Sequence, residues 1–236
     1  MDCLELLPGF NAVGLCLHMP GEGLLAFGDT HLGYEEELNK KGVMIPHFQY
    51  QDVVRHLGEV LDSTRPETVV VNGDLKHEFG RISSQEWREV LRFLDFLGDY
   101  EVKLVKGNHD TILGPIAEKK NVEVVEELRA GNTLFIHGHA IPEDIEGIQA
   151  IVMGHEHPCI GLREDERVEK VKCFLTGKWE GRSLIVLPSL NYVTEGVDIL
   201  QESLLSPLLQ GDIGDFRAYG AENGEILEFG ELRFLL

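Results

Sequence analysis

The 236 residues suffice for one α/β domain with a covered core, residues 1–236. A net charge of −20, from 41 acids against 21 bases, disfavours a broad phosphate-binding surface of the kind that grips duplex DNA, because such binding relies on Lys and Arg. Residues 1–10 show no basic, then apolar leader pattern, and no apolar run approaches the ~20 residues of a membrane span, so a cytoplasmic protein with no membrane partner is expected.

Apolar Leu24–Phe27 predicts a strand, and residues 51–61 predict a helix with Val53, Val54, Leu57, Val60 and Leu61 on one side. Thr68-Val-Val-Val predicts a buried strand. Ser83 or Ser84 is placed to cap a second helix whose stripe is Trp87, Val90, Leu91, Leu94 and Leu97. A third strand, Val102–Val105, completes a βαβαβ order, which implies parallel strands and right-handed crossovers. Beyond it, 122–125 and 133–136 read as strands joined by a turn at 130–132, and 150–153 as another strand. Residues 168–176 and 183–187 read as a hairpin across 177–181. The tail offers 216–219, 226–229 and 232–235 as short strands, with 195–215 as loop containing a short helix. Parallel then antiparallel strands predict an α/β fold with two sheets packed face to face and helices outside.

Five short segments place Asp, His and Asn directly after an apolar strand. They are Gly28-Asp29-Thr30-His31, Gly73-Asp74, Gly107-Asn108-His109-Asp110, His137-Gly138-His139 and Gly154-His155-Glu156-His157. Strand carboxyl ends form the ligand crevice of open α/β folds. Seven of the ten histidines lie in or beside these segments. In an extended segment residues i and i+2 point the same way, so Asp29 with His31, and His155 with His157, can each present two ligands to one point. Mixed carboxylate, imidazole and amide donors without thiolate suit Mn²⁺, Fe²⁺ or Zn²⁺. One ion needs three or four such groups; the number available implies two ions bridged by one carboxylate. The four cysteines, Cys3, Cys16, Cys159 and Cys173, lack paired spacing and read as free thiols.

The order D-x-H, G-D, G-N-H-D, H, G-H-x-H resembles that of the calcineurin-like metallophosphoesterases, from Asp29 to His157. The resemblance implies a four-layer α/β/β/α sandwich with two mixed sheets and outer helices. It implies that Asp29, His31, Asp74 and His157 hold one divalent cation. Asp74, Asn108, His137 and His155 would hold the other, with manganese the first choice and iron, zinc or magnesium the alternatives. His137 is favoured over His139 as ligand, leaving His139, with Asn108 and His109, for substrate. His109 looks like the family's catalytic histidine, and Asp110 stands behind it as a second catalytic candidate. Histidine at the end of Gly73-Asp-Leu-Lys-His77 departs from the phosphatase pattern GDxxD and is similar to the SbcD-type exonucleases, which makes His77 a candidate partner of His109. Further matches, His31-Leu-Gly-Tyr34, Lys76-His-Glu-Phe79 and His155-Glu-His-Pro158, resemble small SbcD-related phosphoesterases.

The expected activity is therefore phosphodiester hydrolysis by a two-metal-activated hydroxide, on nucleic acid ends, single strands or nucleotide diesters. The alternatives are a phosphomonoesterase or protein phosphatase, and a non-catalytic metal-binding scaffold. Lys76, Arg81 and Lys106 lie beside the motifs and are candidates to attract a phosphate locally, and Ser189 and Asn191 are candidates to line the crevice. A protein partner could supply the basic surface this acidic chain lacks.

Overall fold

The N-terminal stretch, for which the sequence predicts no element, forms three antiparallel strands in the computed structural model, which describes residues 2–164 and 167–235. These are β1 (Cys3–Leu7), β2 (Phe10–Val13) and β3 (Cys16–Met19), and they run on into β4 (Leu24–Phe27). They escape the pattern because each is four or five residues long and is separated by turns at Gly9 and Gly14 (φ 84° and 56°) rather than marked by strict alternation. Two short helices are likewise additional: α1 (Tyr34–Lys40) and, further on, a helix after β6. α2 (Gln49–Thr64), β5 (Thr68–Asn72), α3 (Ser84–Phe96) and β6 (Glu101–Val105) stand where hydrophobic spacing puts them. Ser83 caps α3: its hydroxyl accepts from Glu86 N, and Glu86 in turn accepts from Ser83 N, the reciprocal pair of a capping box. α4 (Gly114–Lys120) then leads to β7 (Glu123–Val125).

These seven strands form the first sheet in chain order, antiparallel from β1 to β4 and parallel from β4 to β7. Segment 122–125 thus belongs to this sheet and does not pair with 133–136. The turn at 130–132 joins instead β8 (Glu127–Ala130) to β9 (Thr133–Ile136). The second sheet continues with β10 (Ala150–Met153), β11 (Pro158–Glu164), β12 (Arg167–Trp179), β13 (Arg182–Val186), β14 (Val197–Asp198), β15 (Arg217–Glu222) and β16 (Glu225–Glu231). Its parallel pairs are β9–β10, β10–β13 and β11–β14. The β12–β13 turn is tighter than 177–181: only Glu180 and Gly181 lie between paired Trp179 and Arg182, both with φ positive (47° and 79°), which matches the right-handed twist of the flanking strands. Residues 232–234 form a 3₁₀ turn and not a strand, because the Leu232 and Arg233 N–H groups are taken by Phe216 O and Gly214 O.

Alternation along the second sheet sorts its side chains into two cores. Phe135, Val152, Phe174 and Ile185 face the first sheet and join Leu25, Phe27, Val70, Leu57 and Phe93 in one cluster. Leu134, Ile136, Ile151, Met153, Leu184 and Val186 point the other way and are covered by Ile199, Leu208, Leu209 and Leu232. The two-sheet sandwich is present. Among the described residues the four α-helices all fall in the part of the chain that builds the first sheet, and the layer over the second sheet is irregular chain with a 3₁₀ turn at Pro207–Leu209. Among the described residues no helix is long and apolar enough to cross a membrane.

Candidate metal centre

β4, β5, β6, β9 and β10 end on the same edge of the sandwich, and the five polar segments leave from those ends. Neighbouring segments of each sheet are tied together there. Asp29 N donates to Gly73 O and His31 N to Asp74 O (both 2.9 Å), while Gly154 N donates to His137 O (3.0 Å). Buried Asn72 crosses between sheets, its amide donating to Ile136 O (2.9 Å).

The extended geometry expected for Asp29-x-His31 and His155-x-His157 is not what aims these side chains. Asp29, His31, Asp74, His155 and His157 all have positive φ, 45–68°. Left-handed backbone is uncommon for residues other than glycine, and its concentration here is strain held by the surrounding folded structure. Close approach sets two glycines. A Cβ on Gly73, itself at φ 89°, would lie 2.1 Å from His137 Nδ1, and one on Gly107 would lie 2.0 Å from Asp74 Oδ1.

Two groups of donors result. In the first, His157 Nε2 lies 3.3 Å from Asp29 Oδ1 and 3.3 Å from His31 Nε2. In the second, His137 Nε2 lies 2.9 Å from Asn108 Oδ1, 3.2 Å from His155 Nδ1 and 3.3 Å from Asp74 Oδ2. Asp74 joins them, because the same Oδ2 is 3.7 Å from His31 Nε2. Asp29, His31 and His157 could hold one ion, and Asp74, His137 and His155 another. The donor set fits divalent cations. Around His137 Nε2 stand three acceptor atoms, and a single proton can bond only one of them well. Buried Asp29 Oδ1 has no hydrogen-bond partner, a costly arrangement that an ion among the ligands relieves.

The electrostatics of these side chains agree. Burial, with the nearby His157, drives the His31 pKa well below its ordinary value, and burial with the charge of His137 takes His155 to about 4. Burial opposes charge on His137 as well, yet its hydrogen bond to Asp74 and the Asp29 carboxylate lift it to about 9. Asp74 is held low despite burial, chiefly by His137. One proton on His137 thus occupies the place between Asp29 and Asp74 that suits a cation.

The remaining candidates are placed as follows. His109 is half-buried; its N–H donates to Asp74 Oδ1 (2.8 Å) and its ring Nδ1 meets the His77 carbonyl oxygen. The His77 imidazole turns to Glu37 and His31 instead. Asp110 is buried and accepts from Gly107, Leu75 and Lys76 N–H groups (3.0, 3.3 and 3.3 Å), so it clamps two loops together; burial and then Asp74 push its pKa up to about 6. His139 is exposed, its ring centroid 5.3 Å from that of buried His137. Lys76 is buried with its ammonium on Glu78 O, and Lys106 pairs with Glu126 (2.7 Å), so neither lysine stands free for a phosphate as the sequence suggests. Ser189 and Asn191 are buried too: Ser189 Oγ accepts from Lys172 Nζ (2.7 Å), and Asn191 Oδ1 from Val193 N (2.8 Å). Asn191 lines a cavity with Leu15, His56 and Tyr192 that includes none of the candidate metal ligands.

The calcineurin-like phosphoesterase family profile matches residues 24–147, more than half of the chain. The chain belongs to the calcineurin-like phosphoesterases. These are phosphate-ester hydrolases. Among solved structures, Pseudomonas putida nuclease MPE shares the fold of this calcineurin-like phosphoesterase at a TM-score of 0.71 and 18% identity, covering 97% of this chain and 99% of that one. A Vps29 double mutant from Entamoeba histolytica (TM-score 0.38, 19% identity, 88% and 99% covered) is also similar. So is a conserved phosphoesterase from Streptococcus pneumoniae, predicted as such (0.35, 16%, 88% and 97%). No curated protein matches.

Sequence reasoning misses the buttresses of this calcineurin-like phosphoesterase. Glu86, the partner of Ser83 in the α3 capping box, also accepts from His77 N (3.2 Å) and Glu78 N (2.6 Å). Buried Gln49 donates to Thr30 O and accepts from Tyr192 N (both 2.7 Å), tying the first ligand loop to residues 190–192. Glu35 accepts from Phe48 and Gln49 N (2.6 and 2.7 Å), and Glu37 reaches His77. The one signal for α1 was the acid run 35–37 behind Gly33, since acids favour a helix start.

Proposed function

We propose that this enzyme hydrolyses phosphodiesters, in single-stranded nucleic acid or nucleotide diesters, at a centre of two divalent cations, with manganese the first choice. The observation that carries the reading is the Asp74 Oδ2 atom, shared between His31 of one donor group and His137 of the other. Asp29, His31 and His157 with Asp74 hold the first ion. Asn108, His137 and His155 with Asp74 hold the second. Such a pair, when bound, draws charge from the phosphoryl oxygens and makes a water nucleophilic near neutral pH.

The chain's own residues do the rest. With Nδ1–H fixed on the His77 carbonyl, His109 carries its exchangeable proton on Nε2, gives it to the departing ester oxygen and recovers it afterwards. His139, at the exposed rim beside His137 and His155, is available to an outer phosphate oxygen or sugar. Asp110 acts through the loops it clamps. Phe79 is 66% exposed with its ring 5.9 Å from that of His109, which offers a stacking surface for a base next to the scissile bond. Stacking requires an unpaired base, and the −20 charge is poorly suited to wrapping a duplex. The nuclease with the same fold supports a nucleic acid substrate. A partner with a basic surface would hold longer strands, and the free thiols of buried Cys16, Cys159 and Cys173 accord with a cytoplasmic location.

The test is hydrolysis of bis-p-nitrophenyl phosphate against p-nitrophenyl phosphate with Mn²⁺, Zn²⁺, Mg²⁺ and Fe²⁺. Preference for the diester is expected. A better kcat/KM on the monoester with every ion would overturn the diesterase reading.

A further inference from the structure

His31 turns Nε2 toward His157 and Asp74, so its other ring nitrogen points out of the centre. That Nδ1 lies 3.3 Å from His77 Nδ1, and His77 Nε2 lies 2.5 Å from Glu37 Oε2. Only one arrangement of protons satisfies the row with an ionised carboxylate and neutral rings. A ligating Nε2 must offer a lone pair, so the His31 proton sits on Nδ1 and is donated to His77. His77 then carries its proton on Nε2 and donates it to Glu37. We propose that Glu37 is a positioning residue for the first ion, acting through His77 to fix the tautomer and orientation of His31. The proposal rests on the reading that His31 is a ligand.

The surroundings hold the row in place. Tyr34 stacks on the His77 ring, centroids 3.9 Å apart and planes 23° from parallel. Lys41 pairs with the second Glu37 oxygen (2.7 Å). α1 is itself pinned, because Gly33 (φ 90°) lets the chain pass where a Cβ would meet Glu86 Cγ at 2.1 Å, and Glu86 holds the main chain of His77 and Glu78. A carboxylate behind a ligating imidazole raises its basicity and removes its freedom to rotate, and losing such a partner weakens metal binding 10–100-fold in order of magnitude. His77 extends that reach by one ring.

The experiment is calorimetric titration of Mn²⁺ into the chelator-stripped full chain, together with ¹⁵N NMR of the histidine rings. Glu37→Ala is expected to weaken one of the two Mn²⁺ sites by about 10–100-fold and leave the other within about twofold. It should also replace the single His77 tautomer by a mixture. Glu37→Gln keeps an acceptor and should lose less, and Glu36→Ala, which removes a charge from the same helix, should change neither site. Wild-type affinity at both sites in folded Glu37→Ala, or a lowered melting temperature of the metal-free protein with no change in affinity, overturns the proposal. If Glu37→Ala does not fold, a wild-type His77 that carries its proton on Nδ1 overturns it equally. Wild-type protein that binds fewer than two Mn²⁺ sinks the two-ion reading instead.

Discussion

The ring Nδ1 of His109 donates to the main-chain carbonyl of His77 and not to its imidazole. A carbonyl cannot titrate, and loop residues 75–78 are fixed by hydrogen bonds to Asp110 and Glu86. The orientation of His109, the proposed proton donor, is thereby independent of the side chain at position 77. His77→Asn should thus lose activity only through weaker metal binding, which excess Mn²⁺ restores. Comparison of kcat for variant and wild type at saturating Mn²⁺ checks this.

His109→Ala is expected to retain two ions, measured by elemental analysis, while kcat falls about 10²–10⁴-fold. The loss should shrink as the leaving group improves, because a good leaving group needs no proton. Equal losses for p-nitrophenyl and alkyl diesters would contradict that role.

Asp74→Ala removes the atom common to both donor groups and is expected to abolish turnover and the binding of both ions. Adding Mn²⁺ at 100 times its dissociation constant should stabilise the wild-type fold by about 2.7 kcal/mol per ion and leave this variant unchanged. Denaturant titration with and without Mn²⁺ gives both numbers.

Phe79→Ala is expected to raise KM for a single-stranded oligonucleotide about tenfold, within the range of one base stacked on an aromatic ring. Steady-state kinetics against a duplex of the same sequence shows whether the loss belongs to unpaired bases.

His56 is part-buried and its Nε2 accepts from Leu15 N at 3.0 Å. Burial, and secondarily Arg55, lower its pKa from 6.5 to about 4. The unfolded chain therefore binds more protons between these values, and stability is full above pH 6.5 and falls as pH drops toward 4, by up to about 3 kcal/mol. Denaturation of metal-free protein at pH 7 and pH 4.5 should show a larger loss in wild type than in His56→Gln, whose amide oxygen accepts without titrating.

The sequence alone determined the five ligand segments, the parallel βαβαβ half and the long helices, because strand ends, apolar periodicity and capping residues are local signals. Asp29, Asp74, Asn108 and His155 stand within 126 positions of one another in the chain, and their convergence followed from strand order. What only the tertiary structure decided is how each side chain is aimed and held. Five of the candidate ligands, Asp29, His31, Asp74, His155 and His157, are turned by left-handed backbone, not by extension. The burial of Lys76, the Asp110 clamp and the Glu37–His77–His31 row each join residues from separate elements by hydrogen bonds. Such bonds depend on three-dimensional proximity, which no periodicity or short motif encodes.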